Sequence, residues 1–257
     1  MEKSHSRLDR HFDMPGIRTV GNTRPLQWLR MGWEDVLQSP LASLAYGVTF
    51  ALLGYLILAF AADKPYLFTA AVSGFLLVGP LAAAGLYEIS RRRSEGRSCS
   101  LLESLQGIAR HKGQLFYFGL MLAIVLIGWE RMSAILFAMF YKGDAPDLAN
   151  FFGEVLFSGA YTHFVVAYMV VGGALAVLVY ALSAVAVPML MDRETDIVTA
   201  MMSSARAVGF NLGAMILWAA IIVGSMALGF ASLLFGMVIL LPIIGHATWH
   251  AYHELVE

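Results

Sequence analysis

Six apolar runs, each about 20 to 28 residues long, constrain this chain more than any other feature of its sequence. They cover about 41–62, 66–87, 114–133, 164–191, 210–229 and 232–252. A helix needs about 20 apolar residues to cross the hydrocarbon core of a bilayer. Backbone polar groups in hydrocarbon must bond within their own segment, so these runs predict helices. The predicted fold class is therefore all-α, a polytopic membrane bundle of six transmembrane helices.

Composition agrees with a membrane protein and argues against several other classes. Only 14% of the residues are charged, whereas a soluble domain has about 25%. The formal net charge of -1 gives no basic field of the kind that attracts nucleic acid. The sequence contains no Gly-rich phosphate loop, no His-Glu-x-x-His and no Gly-x-Ser-x-Gly. We therefore predict a protein that is not an enzyme and does not bind nucleic acid.

Lysine and arginine are concentrated on one side of the predicted spans. They occur in the segment before the first span and in the loops after the second and fourth spans, whereas the opposite loops hold only Lys64 and Lys142, with Arg131 near their edge. By the positive-inside rule, both termini are predicted to be cytoplasmic. The predicted location is the bacterial inner membrane, crossed several times, with an uncleaved first helix.

A repeat of one interfacial helix and two spans is predicted three times along the chain. Residues 100–113 align without gaps with 196–209, and in both segments an amphipathic pattern leads directly into a span. The segment 28–39 does the same before the first span. The second span of every unit also contains one proline, which kinks a helix: Pro80, Pro188 and Pro242.

These boundaries predict a flexible cytoplasmic tail over 1–24 and a six-helix membrane domain over 25–257. The three repeats cover about 26–90, 98–192 and 195–253, and the second contains an outer insertion at about 134–162. The insertion is too apolar for a free loop. Two short helices on the outer face of the membrane would explain it, and so would a third span that continues past the membrane.

Glu130 and Arg131 form a candidate pair at the outer interface. A charge inside a membrane segment is a functional hypothesis by default. The repeat places these two residues at the outer end of the third span, beside Trp129 in the aromatic belt. Interface anchoring is one interpretation, and a pair that packs the insertion or lines an outer cavity is the other.

A second candidate cluster lies where the predicted spans reach the cytoplasm. His246, His250 and His253 follow one another at i, i+4 and i+7, so they share one helical stripe. His246 and His250 are candidate ligands for a metal ion or haem.

The repeat supports a different interpretation of the same histidines. Counted from the repeat prolines, His250 corresponds to Glu88 and Asp196, while His246 corresponds to Asp192. We therefore predict a polar cluster at the cytoplasmic mouth, with an Asp192–His246 contact as its central pair. Its members are Glu88, Asp192, Asp196, His246 and His250.

At "GPLAAAGLYEISRRR", "WERMSAILFAMF" and "GHATWHAY" the chain resembles an uncharacterised bacterial family of six-helix predicted integral membrane proteins. Some members of that family are labelled cytochrome c oxidase subunit I. The resemblance implies the fold and the membrane location, and it implies no activity or cofactor. A haem-copper core would need histidines on several spans, and only the terminal histidine cluster of this chain lies on one.

The predicted function is that of a scaffold or accessory protein, with the lipid bilayer and another membrane complex, such as a respiratory one, as partners. Two alternatives stay open. One is a carrier or pore for a small or apolar solute, and the other is metal or haem handling by His246 and His250. No cofactor is predicted outside that last alternative.

Overall fold

The computed structural model describes residues 14–61, 65–140, 159 and 161–257, and this part of the chain is helical without a β-strand. Its helices, labelled in chain order, are α1 Arg24–Gln38, α2 Pro40–Ala61, α3 Pro65–Ala82, α4 Ala84–Ser94, α5 Leu101–Arg110, α6 Lys112–Phe140, α7 Thr162–Ser183, α8 Ala186–Asp192, α9 Ile197–Phe210, α10 Leu212–Ala231 and α11 Met237–Leu255. The all-α prediction is confirmed.

Five helical segments of the described residues are long and apolar enough to cross a membrane: Pro40–Ala61, Ala70–Ser94, Lys112–Phe140, Thr162–Asp192 and Leu212–Ala231. The second combines parts of α3 and α4, and the fourth combines α7 and α8. The sixth predicted span corresponds mainly to α11, which is not one of the five. The second half of α11 carries several polar side chains and is largely buried in protein. The sixth span therefore stays a prediction.

The outer end of the third span differs from the sequence prediction. The third span was expected to end near Ser133, but α6 continues to Phe140. Residues 134–140 contain no glycine or proline that would stop a helix, so this part of the predicted insertion continues the span. Most of the remaining insertion, 141–158 and 160, lies outside the described residues, as does 1–13 of the predicted tail.

The predicted flexible tail is held in place from Gly16 onward. The Glu257 backbone N–H donates to the Gly16 carbonyl at 2.9 Å, and the Arg18 N–H donates to the Leu255 carbonyl at 2.9 Å. Ile17 and Val256 form an isolated antiparallel bridge and are both buried. These bonds attach the segment before α1 to the end of α11.

The chain divides into two compact units. Unit 1 comprises Met1–Leu53, Pro80–Phe118 and Tyr180–Glu257, and unit 2 comprises Gly54–Gly79 and Gly119–Val179. The interior of unit 1 is filled by large side chains. The rings of Trp28 and Trp218, for example, are both fully buried and meet edge to face at 5.8 Å.

The helices of unit 1 pack in a cyclic order. The ends of the three second spans, α4, α8 and α11, contact one another. The helices that precede the first spans, which we call the flanking helices, pack around them: α1 on α11, α5 on α4 and α9 on α8. In terms of the predicted repeat, each flanking helix packs on the second span of the preceding unit.

Glycine allows two of these flanking helices to approach closely. A Cβ atom on Gly32 would lie 2.6 Å from the Ile243 carbonyl oxygen and 2.7 Å from the Ala247 nitrogen. A Cβ atom on Gly107 would lie 2.5 Å from Cγ of Glu88. A side chain at either position would force the flanking helix away from the helix it packs on.

We expect Gly32→Ala to lower the free energy of unfolding by about 1–3 kcal/mol, because the added methyl group meets backbone atoms that cannot turn aside. Titration of the purified protein with a denaturing detergent would measure this change. Gly21→Ala is the matched control, since nothing lies within 4 Å of a Cβ atom there. Equal stability of the two variants would contradict the close approach of α1 and α11.

Candidate functional site

A buried group of polar side chains joins four helices of unit 1. It contains Asp35 from α1, Ser43 from α2, Ser90 from α4, and His246 and His250 from α11. We call these five residues the central polar cluster. Ser43 and His246 are fully buried, so their hydrogen bonds must be made within the protein.

The hydrogen bonds of His246 form a chain with one direction. Ser90 Oγ donates its proton to Asp35 Oδ2, because a carboxylate oxygen only accepts. Ser90 Oγ therefore accepts from His246 Nδ1, 2.7 Å away. In a neutral imidazole the other nitrogen, Nε2, then accepts from Ser43 Oγ at 2.9 Å. The chain runs from Ser43 through His246 and Ser90 to the carboxylate of Asp35.

Asp35 also contacts two basic side chains, of which His250 belongs to the central polar cluster and Arg93 does not. Arg93 Nη1 lies 2.8 Å from Oδ1, and His250 Nε2 lies 3.0 Å from Oδ2. Burial alone would raise the pKa of Asp35, but the hydrogen bonds from His250 and Ser90 outweigh burial and hold that pKa below its ordinary value. Asp35 is therefore a carboxylate at neutral pH, and it ties α1 to α4 and α11.

This lowered pKa gives the stability of the protein an acid dependence. The folded-state pKa of Asp35 lies below its unfolded value. The ionised carboxylate therefore stabilises the fold to its full extent at every pH above the unfolded pKa of about 4. The effect is lost as the pH falls through the folded-state pKa. We expect the free energy of unfolding, measured against pH, to fall less steeply in this acid range for Asp35→Asn than for the wild type. Equal acid slopes would contradict an ionised Asp35 in the cluster.

Glu88 lies in a separate group of ion pairs on α4 and α5. It is fully buried and accepts hydrogen bonds from three guanidinium groups. Arg91 contacts both carboxylate oxygens at 2.9 Å, Arg92 contacts Oε1 at 2.9 Å, and Arg110 contacts Oε1 at 2.8 Å. We call these four residues the Glu88 group.

The predicted contact between Asp192 and His246 is wrong. Asp192 Oδ2 accepts from the Tyr252 hydroxyl at 2.7 Å, while His246 contacts Ser43 and Ser90. Tyr252 comes six residues after His246 on α11, and six residues turn a helix by about 240°. His246 and Tyr252 therefore lie on different sides of α11, and Asp192 contacts the side that carries Tyr252.

The predicted cytoplasmic-mouth cluster is thus distributed over several places. His246 and His250 lie in the central polar cluster, Glu88 has its own group, and Asp192 meets Tyr252. Asp196 is the N-cap of α9, where its side chain accepts from the Thr199 backbone N–H at 3.0 Å. The Thr199 hydroxyl also donates to Asp196 Oδ2 at 2.6 Å, and this bond together with the backbone bond holds the pKa of Asp196 below its ordinary value.

The sequence analysis missed Asp35, Ser43 and Ser90. For Asp35 a signal was present, because a residue seven positions after Trp28 lies on the same face of a helix. A carboxylate on the buried face of α1 needs a partner inside the protein. Ser43 and Ser90 are small residues within apolar surroundings, and nothing in the sequence distinguishes them from packing residues.

The geometry gives no support to a metal or haem site at His246 and His250. Within the described residues, no group of three or more His, Cys, Asp or Glu side chains is arranged to hold a metal ion. Both nitrogens of His246 are already hydrogen-bonded to serines, so neither is directed at an open coordination position.

The outer pair lies in unit 2, on α6. One carboxylate oxygen of Glu130, Oε1, is buried and has no hydrogen-bond partner among the described residues. The neighbouring Trp129 donates to Ser73 Oγ at 3.3 Å and packs against Tyr168 with ring centroids 4.9 Å apart. Arg131 is exposed. Trp129 therefore anchors this part of α6 to its neighbours, and the roles of Glu130 and Arg131 stay predictions.

A comparison with protein families matched part of this chain. Residues 67–192, just under half of the chain, match a family model described as predicted integral membrane protein (DUF2189). The segment 67–192 is similar to that family. The resemblance to an uncharacterised membrane family is thereby confirmed, and the oxidase label is not. Neither the comparison with curated proteins nor that with solved structures gave a match.

The family segment contains only part of the central polar cluster. Ser90 lies within 67–192, whereas the other four members, Asp35, Ser43, His246 and His250, lie outside it. The Glu88 group, by contrast, falls entirely within the matched segment, and so does the outer pair of Glu130 and Arg131. The match therefore describes a membrane protein without assigning a role to either group.

Proposed function

We propose that this integral membrane protein is a non-catalytic scaffold or accessory protein that binds lipid or another membrane complex. The observation that carries the proposal is the closed geometry of the central polar cluster. Its histidines, serines and carboxylate form hydrogen bonds with one another and connect four helices. The cluster is therefore a structural joint, by which we mean a contact that holds these helices together. The proposed function therefore depends on the exposed surfaces of the helices that the cluster holds together.

The chemistry of the cluster also favours a structural role. Ser43, His246 and Asp35 are residue types of a hydrolytic triad, and the Ser43–His246 distance of 2.9 Å suits proton transfer. A nucleophile must however reach a substrate, and Ser43 and His246 are both fully buried. A buried polar network of this kind rigidifies a fold when all its members have partners.

The flanking helix α1 provides a surface for such binding. Its buried face carries Trp28 and Gly32, whereas Leu26, Trp33 and Leu37 are exposed on the other side. These three lie within about 40° of one another around the helix. An apolar stripe opposite a protein-bound face is typical of a helix that lies in the interface of a membrane.

We also propose the orientation that the basic residues indicate, with both termini in the cytoplasm of a bacterium and the flanking helices on the inner leaflet. The cyclic packing of α1, α5 and α9 supports the threefold repeat. The pore alternative gains no support, because the interior of unit 1 is occupied by large side chains, Trp28, Trp218 and Trp249 among them.

Purification of the full chain from native membranes in a mild detergent tests the proposal. We expect phospholipid or a second membrane protein to remain bound through gel filtration. In a variant with Leu26, Trp33 and Leu37 all changed to glutamine, we expect less of either to be retained. A wild-type protein that purifies alone, without lipid and without a partner, would contradict the proposal.

A further inference from the structure

We propose that the basic end of α5 binds the phosphate of an anionic phospholipid in the cytoplasmic leaflet, through Arg110 and Lys112. This inference rests on the lipid-binding part of the proposed function. It assigns the lipid class and the residues that contact it.

The position of these two residues follows from the chain itself. α5 ends at Arg110, and after the single residue His111 the long apolar helix α6 begins at Lys112. Both basic side chains therefore lie where the chain enters the membrane. Long basic side chains at such a point reach the level of the lipid headgroups while their stems stay against apolar surface.

The orientation of α5 directs one side of the helix away from the protein. Ser104 and Gly107 are buried, whereas Leu102 is 65% exposed and Leu105 is 47% exposed. Exposed leucines on a helix of this kind fit the boundary between headgroups and acyl chains. Arg110 lies about 80° around the helix from Leu102, between the leucine side and the side that meets Glu88.

The charge of Arg110 is only partly compensated within the protein. Its one ion-pair partner in the described part of the chain is Glu88, at 2.8 Å, and that carboxylate is shared with two other arginines. Those two arginines each have a second carboxylate, Arg91 with Glu95 and Arg92 with Glu103. The Arg110 side chain is also 55% exposed, so its remaining N–H groups can reach a ligand outside the protein.

These properties select an anionic phosphodiester as the ligand. A guanidinium group matches the oxygens of a phosphate with a planar fork of donors, and an ammonium group adds a second point charge. A zwitterionic headgroup would bring its own ammonium beside the arginines of the Glu88 group and would be repelled. A glycerol headgroup leaves the phosphate charge uncancelled, so phosphatidylglycerol is the suitable probe.

The experiment uses the full chain in detergent micelles, with equal amounts of phosphatidylglycerol and phosphatidylcholine added. Mass spectrometry then measures the lipid that the protein retains after gel filtration. We expect the wild type to enrich phosphatidylglycerol, and each of Arg110→Gln and Lys112→Gln to lower that enrichment about fivefold. Arg18→Gln is the matched control, because Arg18 is an exposed arginine in the segment before α1 that pairs with Glu257, and it should leave the enrichment unchanged.

Lys112→Gln leaves the ion pairs of Glu88 intact, so it tests the site even if Arg110→Gln does not fold. Enrichment that survives both substitutions would overturn the inference, as would an equal loss in Arg18→Gln. An excess of inorganic phosphate should not displace the lipid, and displacement would indicate a site for free phosphate instead.

If the wild type retains phospholipid without a preference, only this inference fails. If it retains no phospholipid at all, the lipid-binding part of the proposed function fails as well.

Discussion

Replacing Asp35 with alanine should lower the free energy of unfolding by about 3–5 kcal/mol. The substitution removes the carboxylate that accepts from Ser90 and pairs with Arg93 and His250. Arg93 then stays in a partly buried region without its counter-charge, and His250 loses the acceptor of its hydrogen bond. The hydrogen-bond chain through His246 also loses its final acceptor, so α1 loses its polar attachment to α4 and α11. Titration with a denaturing detergent would measure the loss.

Glu34→Ala is the matched control for this prediction. Glu34 is the residue before Asp35, and its side chain is 48% exposed and pairs with Arg30 on the same helix. Exposed pairs of this kind contribute less than about 1 kcal/mol. If Asp35→Ala cost no more than Glu34→Ala, the cluster would not be the joint that we describe.

Replacing Glu88 with glutamine should also cost about 3–5 kcal/mol. Glutamine keeps the size of the side chain but removes the negative charge, so the positive charges of Arg91, Arg92 and Arg110 face one another without their shared carboxylate. The same substitution should loosen α5, because Gly107 lies directly against the Glu88 side chain. Limited proteolysis between α4 and α5 would report that loosening, and detergent titration would report the loss of stability.

Glu95→Gln provides the comparison for Glu88. Glu95 also pairs with Arg91, but its side chain is 40% exposed, and we expect a change of less than about 1 kcal/mol. Similar unfolding midpoints for the two variants would show that the Glu88 group does not stabilise the packing of α5 on α4.

Hydropathy predicted most of the membrane helices, because a run of apolar residues long enough to cross a bilayer has few other structures available. The starts of α5 and α9 could also be predicted. Ser100 and Asp196 occupy the first positions of the two aligned segments, and each caps the helix that follows. Local signals of this kind do not depend on which helices later meet.

Contacts between distant segments could not be predicted in the same way. The Asp192–His246 pair was inferred from equivalent positions in the repeat, which give the depth of a residue but not the direction of its side chain. His250 instead meets Asp35, 215 positions away in the sequence. That contact exists because α1 packs on α11, and the packing of the first flanking helix on the last helix has no local signal.

The claim at the centre of this account is that the central polar cluster is a joint and not a ligand site. Metal and haem analysis of the full chain without a histidine tag, for the wild type and for His246→Ala, tests it most directly when unfolding is measured on the same samples. We predict no stoichiometric metal or haem in either protein and a clear loss of stability in the variant. A stoichiometric metal ion or haem that is present in the wild type and lost in His246→Ala would contradict the account.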